Sequence, residues 1–123
     1  MYTWTTQSIE VRAYAFYMEE DSIPQDSLYL WAYYVSIINH GKEPIQVISR
    51  RWRTSDGEGK SLEFKGHGLI GERPVIDPGE GYEYHSFTQL NTPEGLMGGA
   101  FEIQTEEKGV FEISGPVFPL GLD

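Results

Sequence analysis

The dominant pattern along the chain is an alternation of apolar and polar residues with a period of two. It is clearest in residues 28–39, where one face collects Tyr29, Trp31, Tyr33, Val35 and Ile37. The other face collects Leu30, Ala32, Tyr34, Ser36 and Ile38. Aromatic and β-branched residues in this alternation predict a central β-strand, whose mixed second face is partly covered by a neighbour or a loop.

Shorter segments repeat this period and are separated by turn residues. We predict further strands at residues 9–17, 45–54, 61–65, 82–87, 100–105 and 110–114. Proline, glycine and charge place turns between them, including a type II turn at residues 77–80 and a four-residue hairpin loop at 106–109. Pro116 and Pro119 mark an extended tail, and no segment of useful length shows the helical period.

These elements predict an all-β protein. About seven to eight short strands in one small chain are typical of an antiparallel β-sandwich of immunoglobulin or fibronectin type III shape. The 123 residues provide enough chain for one hydrophobic core, so we expect a single domain over residues 1–123.

The composition of the chain limits the kinds of molecule it can bind and the kinds of site it can contain. Nine Lys and Arg against 19 Asp and Glu give a formal net charge of -10, which disfavours nucleic acids and anionic membranes as partners. The chain has no cysteine, which excludes disulfides and thiolate metal sites. Residues 1–8 have neither a basic start nor an apolar stretch, and no later segment has the length of a membrane span, so we expect a cytoplasmic protein.

The glycine-rich segment that follows residue 65 looks like a phosphate-binding motif. Gly66, Gly68 and Gly71 have the spacing Gly-x-Gly-x-x-Gly. A dinucleotide site needs a helix directly after the motif, so that helical N–H groups face the pyrophosphate. Pro74 and Pro78 leave no room for a helix, so we interpret the segment as a loop between strands.

Two roles for this loop stay open. Its glycines could supply positive φ angles or a close approach of backbones at a crossover between sheets. Alternatively, successive N–H groups of the loop could form an anion-binding nest, with Lys65 or Arg73 adding positive charge. Replacing Gly68 with alanine should destabilise the fold if that residue has a positive φ angle.

The sequence Arg-Arg-Trp-Arg at residues 50–53 holds a third of the basic residues. Strand alternation puts Arg50 and Trp52 on one face and Arg51 and Arg53 on the other. At most two guanidinium groups can therefore act together, and such a pair could hold a carboxylate or phosphate. Alternatively, the arginines could pair with the many acidic neighbours and protect a sheet edge. We expect Trp52 in the core.

No residue set predicts a metal site or a reaction. His40, His67 and His85 lack the close spacing of metal ligands, and we interpret them as solvent-exposed. Four carboxylates lie in predicted turns, where solvation explains them, although such turns can also bind Mg²⁺ or Ca²⁺ weakly: Asp77, Glu80, Glu106 and Glu107. We therefore expect no cofactor, no metal and no enzymatic activity.

Several segments in a fixed order carry a resemblance to a known family. They are residues 33–39, 49–52, 66–76, 78–80 and 95–99, together with Asp56, Gly59, Tyr84 and Ser86. On these segments the sequence resembles the ApaG family (DUF525 domain). The resemblance implies a fibronectin-type sandwich, a bacterial genetic association with cobalt and magnesium efflux, and relatives in eukaryotic F-box and polymerase-interacting proteins that bind other proteins. It implies no enzyme activity.

Two positions depart from the family pattern. Arg51 stands where these proteins usually have histidine, and Ala100 with Phe101 replaces a small residue followed by tyrosine. Any role of that histidine is therefore not transferable to this chain.

Two hypotheses for function follow. The first is a non-catalytic module that binds another protein through loops, edges and aromatic residues, for which the candidates are Tyr2, Trp4, Tyr14 and Tyr17. The second is binding of nucleotide or pyrophosphate, for which the candidates are Gly66, Gly68, Gly71, Lys65, Arg73, Arg50 and Arg53. Unpaired sheet edges and the aromatic N-terminal segment also predict a homodimer, which light scattering would test.

Overall fold

The computed structural model describes residues 1–69 and 71–121, so Ile70 of the glycine-rich segment lies outside the described residues. The described part contains ten strands: β1 (Tyr2–Thr6), β2 (Ile9–Tyr17), β3 (Tyr29–Asn39), β4 (Ile45–Asp56), β5 (Ser61–His67), β6 (Val75–Ile76), β7 (Gly81–Leu90), β8 (Gly95–Thr105), β9 (Gly109–Ser114) and β10 (Phe118–Leu120). Two single 3₁₀ turns at Glu19–Asp21 and Pro24–Asp26 are the other elements described. The predicted all-β class is confirmed, with more strands than expected.

The strands form two antiparallel sheets. The first sheet has the order β1-β2-β3-β7. The second has the order β10-β8-β4-β5, with β6 also paired to β4 and β9 to β8. The sheets pack face to face as a sandwich, which confirms the predicted architecture.

The core lies between the two sheets. From β3 it contains the predicted face, with Trp31, Tyr33, Val35 and Ile37 buried. From the second sheet Trp52 is fully buried, as predicted, and its Nε1 donates to the Tyr84 hydroxyl at 2.9 Å. Its indole lies directly on the backbone of β8, because a Cβ atom on Gly99 would stand 2.5 Å from the ring.

A β-bulge in β4 changes which residues face the core. Ile45 and Val47 point inward at odd positions, whereas Trp52 and Thr54 point inward at even positions, and the pairing register with β8 shifts between Val47 and Ser49. One extra residue on one strand produces this switch. The alternation in residues 45–54 predicts an uninterrupted strand and does not reveal the bulge.

Three other strand predictions need correction. β1 was not predicted, because the hairpin to β2 turns at Gln7 and Ser8, which have φ angles of 48° and 67° without a glycine signal. β8 begins at Gly95 and not at Ala100, since its glycines make room for neighbouring side chains. The predicted tail is extended and also forms β10, with Pro119 on a strand at the sheet edge.

The mixed face of β3 is partly covered by its neighbours, as predicted. The cover comes from aromatic side chains on the flanking strands β2 and β7. No helix among residues 1–69 and 71–121 is long and apolar enough to cross a membrane.

Candidate functional site

The glycine-rich segment connects β5 to β6 and is held tightly at its glycines. Gly68 has φ 57°, and a Cβ atom there would lie 1.8 Å from the carbonyl oxygen of Glu72. Gly71 has φ 82°. A Cβ atom on Gly66 would lie 2.6 Å from Cζ of Arg50. Positive φ angles or close approach therefore explain all three glycines, as the first of the two interpretations predicted. The predicted crossover between sheets was wrong, because the loop joins two strands that both pair with β4 in the second sheet.

Three N–H groups of this loop already have partners. The N–H of Gly68 donates to the Ile48 carbonyl at 2.7 Å, which anchors the loop to the bulge of β4. The N–H of Leu69 donates to the Glu72 carbonyl at 2.6 Å, and the N–H of Glu72 donates back to Leu69 at 3.2 Å. These groups are committed to the backbone, and an anion could bind them only by breaking those bonds.

Arg50 ties the same loop to the interior. Its Nη1 donates to the carbonyls of His67 at 3.2 Å and Gly68 at 3.1 Å. Burial raises the pKa of the Tyr84 hydroxyl, and the nearby Arg50 charge opposes that rise. Burial likewise raises the pKa of Tyr33. Arg50 therefore lies near buried neutral hydroxyls and backbone carbonyls. Its hydrogen bonds hold the glycine loop in place.

The other basic candidates lie apart from Arg50. Strand pairing places Arg51 opposite Lys65, and Arg53 opposite Glu63, on the outer face of the second sheet. Arg73 lies at the loop, with Nη2 3.2 Å from Nδ1 of His67. The predicted division of the arginines between two faces is confirmed, and the structure does not bring Arg53 and Lys65 to the glycine loop.

A groove lies on that outer face, beside strand β1. It has a volume of about 770 Å³, and its lining residues include Tyr2, Trp4, Arg51, Arg53, Leu96, Gly98, Ala100, Glu112 and Val117. Arg51 forms an ion pair with Glu112 at 3.2 Å across the groove floor. Within the described part of the chain, Arg53 makes no ion pair. The groove thus combines an available guanidinium group with exposed apolar walls.

The predicted interaction residues divide among three places. Tyr2 and Trp4 line the groove, and the Tyr2 ring stacks on Phe118 with centroids 6.1 Å apart. Tyr14 points to the outer face of the first sheet, one residue from the buried Ala13. Tyr17 packs against the core and contacts Trp31, with ring centroids 5.2 Å apart. Tyr17 therefore does not share a surface with the other candidates.

The histidines lie far apart and have separate partners. His40 Nε2 lies 2.7 Å from Oε1 of Glu10, and the His85 ring stacks on Tyr34. Among residues 1–69 and 71–121, no group of three or more histidine or carboxylate side chains is placed to hold a metal ion. The four carboxylates singled out in turns are exposed: Asp77, Glu80, Glu106 and Glu107.

Glu10 is the centre of a polar cluster near the N-terminal hairpin. Its carboxylate accepts hydrogen bonds from Arg12 Nε at 2.9 Å and from the Thr3 hydroxyl at 2.8 Å. These bonds, with His40, lower the pKa of Glu10 to about 2. The cluster joins β1, β2 and the turn after β3, so it stabilises the strand that forms one wall of the groove.

A second surface was not predicted from the sequence. The outer face of the first sheet carries five rings from three strands, and we call it the aromatic face: Tyr14, Phe16, Tyr34, His85 and Phe87. Each strand showed the correct alternation, but the rings become neighbours only through the cross-strand register. The sequence signal for this surface was the presence of aromatic residues at strand positions that the alternation assigns to the solvent-facing side.

Comparison with known proteins gives concordant matches. A family model described as the ApaG domain (DUF525) matches residues 19–105. The chain is 43% identical over 120 residues to Protein ApaG of Paramagnetospirillum magneticum, covering 98% of this chain and 92% of that protein. It is 41% identical over 122 residues to Protein ApaG of Brucella canis, covering 99% and 94%. A crystal structure described as that of an ApaA protein from Bordetella pertussis matches with a TM-score of 0.89 at 38% identity, covering 93% of each chain.

Proposed function

This chain belongs to the ApaG family, and we propose that it is a non-catalytic module that recognises another protein through the groove beside β1. The observation that carries the proposal is the groove itself. Its walls expose large apolar side chains, with relative exposures of 58% for Trp4, 51% for Leu96 and 68% for Val117. Exposed apolar residues gathered beside charged ones are typical of protein interaction surfaces.

The floor of the groove suits an extended polypeptide. Gly98 and Ala100 have small or no side chains, and Val117 packs over Gly98, so a partner backbone could lie close to β8 beside Val117. Arg53 could then hold a carboxylate of the partner through paired hydrogen bonds, since guanidinium groups match carboxylates in geometry. We therefore expect a segment with apolar side chains and at least one acidic residue.

Strand β1 offers a second means of attachment. It lies at the edge of the first sheet and pairs with β2 on one side. An edge strand presents backbone N–H and carbonyl groups that an added strand can pair with. A partner segment that adds to β1 would also contact Trp4, which joins main-chain pairing to side-chain recognition.

The association of the family with cobalt and magnesium efflux fits an indirect role in this proposal. The module would bind a protein that itself handles the ions, and would act in the cytoplasm. Cell fractionation tests the compartment. A homodimer through the sheet edges stays a prediction, and light scattering that returns only a 14.0 kDa particle would contradict it.

A photo-crosslinking experiment tests the groove. A photoreactive phenylalanine analogue replaces Trp4 in the full chain expressed in its host of origin, and replaces the exposed Val110 of β9 as the control. We expect a discrete protein adduct from position 4 and not from position 110. The same adducts from both positions would contradict recognition through the groove.

Titration of the identified partner then measures the contribution of single residues. Trp4→Ser should weaken binding by roughly thirtyfold or more, the effect expected of a central aromatic contact. Arg53→Gln should weaken it less, and Val110→Ser should leave it unchanged. Equal affinity of wild type and Trp4→Ser would rule out the groove as the binding site.

Calorimetric titration tests the alternative of nucleotide binding. Because the N–H groups of Gly68, Leu69 and Glu72 are bonded to carbonyls, we expect no saturable heat with ATP, GTP or pyrophosphate. Saturable heat at micromolar ligand would favour the anion-binding hypothesis over recognition of a protein.

A further inference from the structure

The aromatic face is organised in two rows across the first sheet. In the first row, Tyr14, Tyr34 and His85 lie opposite one another on β2, β3 and β7. The Tyr14 and Tyr34 rings stack with centroids 5.1 Å apart and planes at 9°, and His85 stacks on Tyr34 at 5.4 Å. Stacking fixes these three rings as a rigid block.

The second row places a small residue between two phenylalanines. Phe16 and Phe87 lie on either side of Ala32 in the strand register. Their relative exposures are 57% and 54%, whereas Ala32 is 7% exposed. Neighbouring strands are about 4.8 Å apart, so the two phenylalanines rise from the sheet about 10 Å from each other.

Together the rows surround Ala32, and we call the surface above it, between the two phenylalanine rings, the trough. Phe16 stands at 79° to the Tyr34 ring, with centroids 5.9 Å apart, and Phe87 stands at 90° to His85, with centroids 6.4 Å apart. The trough therefore has phenylalanine rings on two sides and the stacked block at one end, and these rings leave the Ala32 methyl group 7% exposed.

Aromatic rings around the trough favour a cation. The faces of aromatic rings carry negative electrostatic potential and attract ammonium and guanidinium groups. The exposed carboxylates of the 3₁₀ turn Glu19–Asp21 follow β2 beside the start of β3, where the Met18 N–H donates to Leu30 at 2.9 Å.

The remaining charges of this face do not oppose a cation. Glu83 is exposed on β7, two residues from His85. Arg12 is neutralised by Glu10 at 2.9 Å. The surroundings of the trough are therefore acidic, in a chain of net charge -10. His85 belongs to the rigid block.

We propose that the trough above Ala32 binds an arginine or lysine side chain from a basic segment of a partner polypeptide. The charge of the surroundings disfavours a second copy of this chain as the occupant, because two such faces would bring their acidic turns together. The site lies on the sheet opposite the groove, so it does not depend on the groove or its partner.

Nuclear magnetic resonance titration of the ¹⁵N-labelled full chain tests this site. The probe is a capped arginine–glycine peptide, and the matched control peptide carries citrulline, which has the shape of arginine without the charge. We expect saturable shifts at Ala32, Tyr34 and Phe87 with the arginine peptide and none with the citrulline peptide. Equal shifts from both peptides would overturn the proposal.

Variants separate ring contacts from general attraction of charge. Phe16→Leu combined with Phe87→Leu keeps an apolar surface and removes both walls, and should weaken binding about tenfold. Phe64→Leu, at a partly exposed phenylalanine of β5, is the matched control and should bind as the wild type does. Unperturbed resonances of the core in each variant verify folding.

Other occupants give distinguishable results, each of which would overturn the proposal. Shifts at the aromatic face that grow with protein concentration alone would show a second copy of the chain. Saturation by a neutral glucan oligosaccharide, with no response to the arginine peptide, would show a carbohydrate site. Shifts confined to Trp4 and Gly98 would place the basic peptide in the groove instead.

Discussion

The glycine loop and the groove lie on the same sheet but use their polar groups in opposite ways. In the loop, three N–H groups and Nη1 of Arg50 are bonded to backbone carbonyls. In the groove, Arg53 and the apolar walls face outward. The glycine motif thus reflects the backbone conformation and packing of the loop. The open surface of the groove, in contrast, is formed by residues far apart in the sequence.

The largest expected effect is at Gly68. Gly68→Ala adds a Cβ atom 1.8 Å from the Glu72 carbonyl oxygen at a φ of 57°, and should lower the free energy of unfolding by about 3–5 kcal/mol. Gly71→Ala is the control, because its φ is also positive but the added Cβ would have no atom of a described residue other than its chain neighbours within 4 Å, and it should cost about 1–2 kcal/mol. Urea unfolding measures both. Equal losses would show that the backbone angle alone, and not packing of the loop, explains the motif.

The two arginines provide the next comparison. Arg50→Gln removes charged hydrogen bonds to two loop carbonyls and should cost about 1.5–3 kcal/mol. Arg53→Gln, three residues away on the opposite face, should change stability by no more than about 0.5 kcal/mol. Thermal and urea unfolding of the two variants, side by side, test this difference. A larger loss at Arg53 would mean that the groove, too, has a structural role.

The hairpin between β1 and β2, which supports the groove wall, should become more stable when Ser8 is replaced by glycine. Ser8 has φ 67°, which costs a residue with a side chain about 1–2 kcal/mol. Ser8→Gly should therefore raise the free energy of unfolding by about 1 kcal/mol, after the entropy of the more flexible unfolded chain is subtracted. Loss of stability in urea unfolding would indicate a role for the Ser8 side chain.

The smallest effect concerns pH and the Glu10 cluster. Hydrogen bonds lower its pKa from 4.5 to about 2, so the carboxylate contributes stability above its unfolded pKa and loses it as pH falls toward 2. The melting temperature of wild type should exceed that of Glu10→Gln near neutral pH, and the difference should shrink on acidification. A difference that is constant between neutral pH and pH 2 would contradict this assignment.

Local pattern predicted most of the fold. Alternation identified the buried face of β3, and Pro78 with Gly79 identified the turn before β7, where Gly79 has φ 83° and the Glu80 N–H donates to Asp77 at 3.0 Å. The bulge after Val47 was not predicted. One extra residue changes which strand positions face the core, and it does so without changing the composition of the segment.

The groove and the aromatic face were harder to predict from the sequence than the strands. Tyr2 and Trp4 were correctly chosen as exposed aromatic residues, but the groove also needs Val117, from the other end of the chain. The aromatic face depends on register between three strands, which no single segment encodes. Pairing across strands, and not alternation within one strand, determines both surfaces.

The three tryptophans differ in burial, and this difference makes one of them an intrinsic fluorescence probe of the groove. Trp31 and Trp52 are 3% and 0% exposed, whereas Trp4 is 58% exposed and stands in the wall of the groove. A water-soluble fluorescence quencher such as acrylamide will reach Trp4 far more readily than the other two. Occupancy of the groove can therefore be followed in unlabelled protein, as protection of the long-wavelength part of the emission.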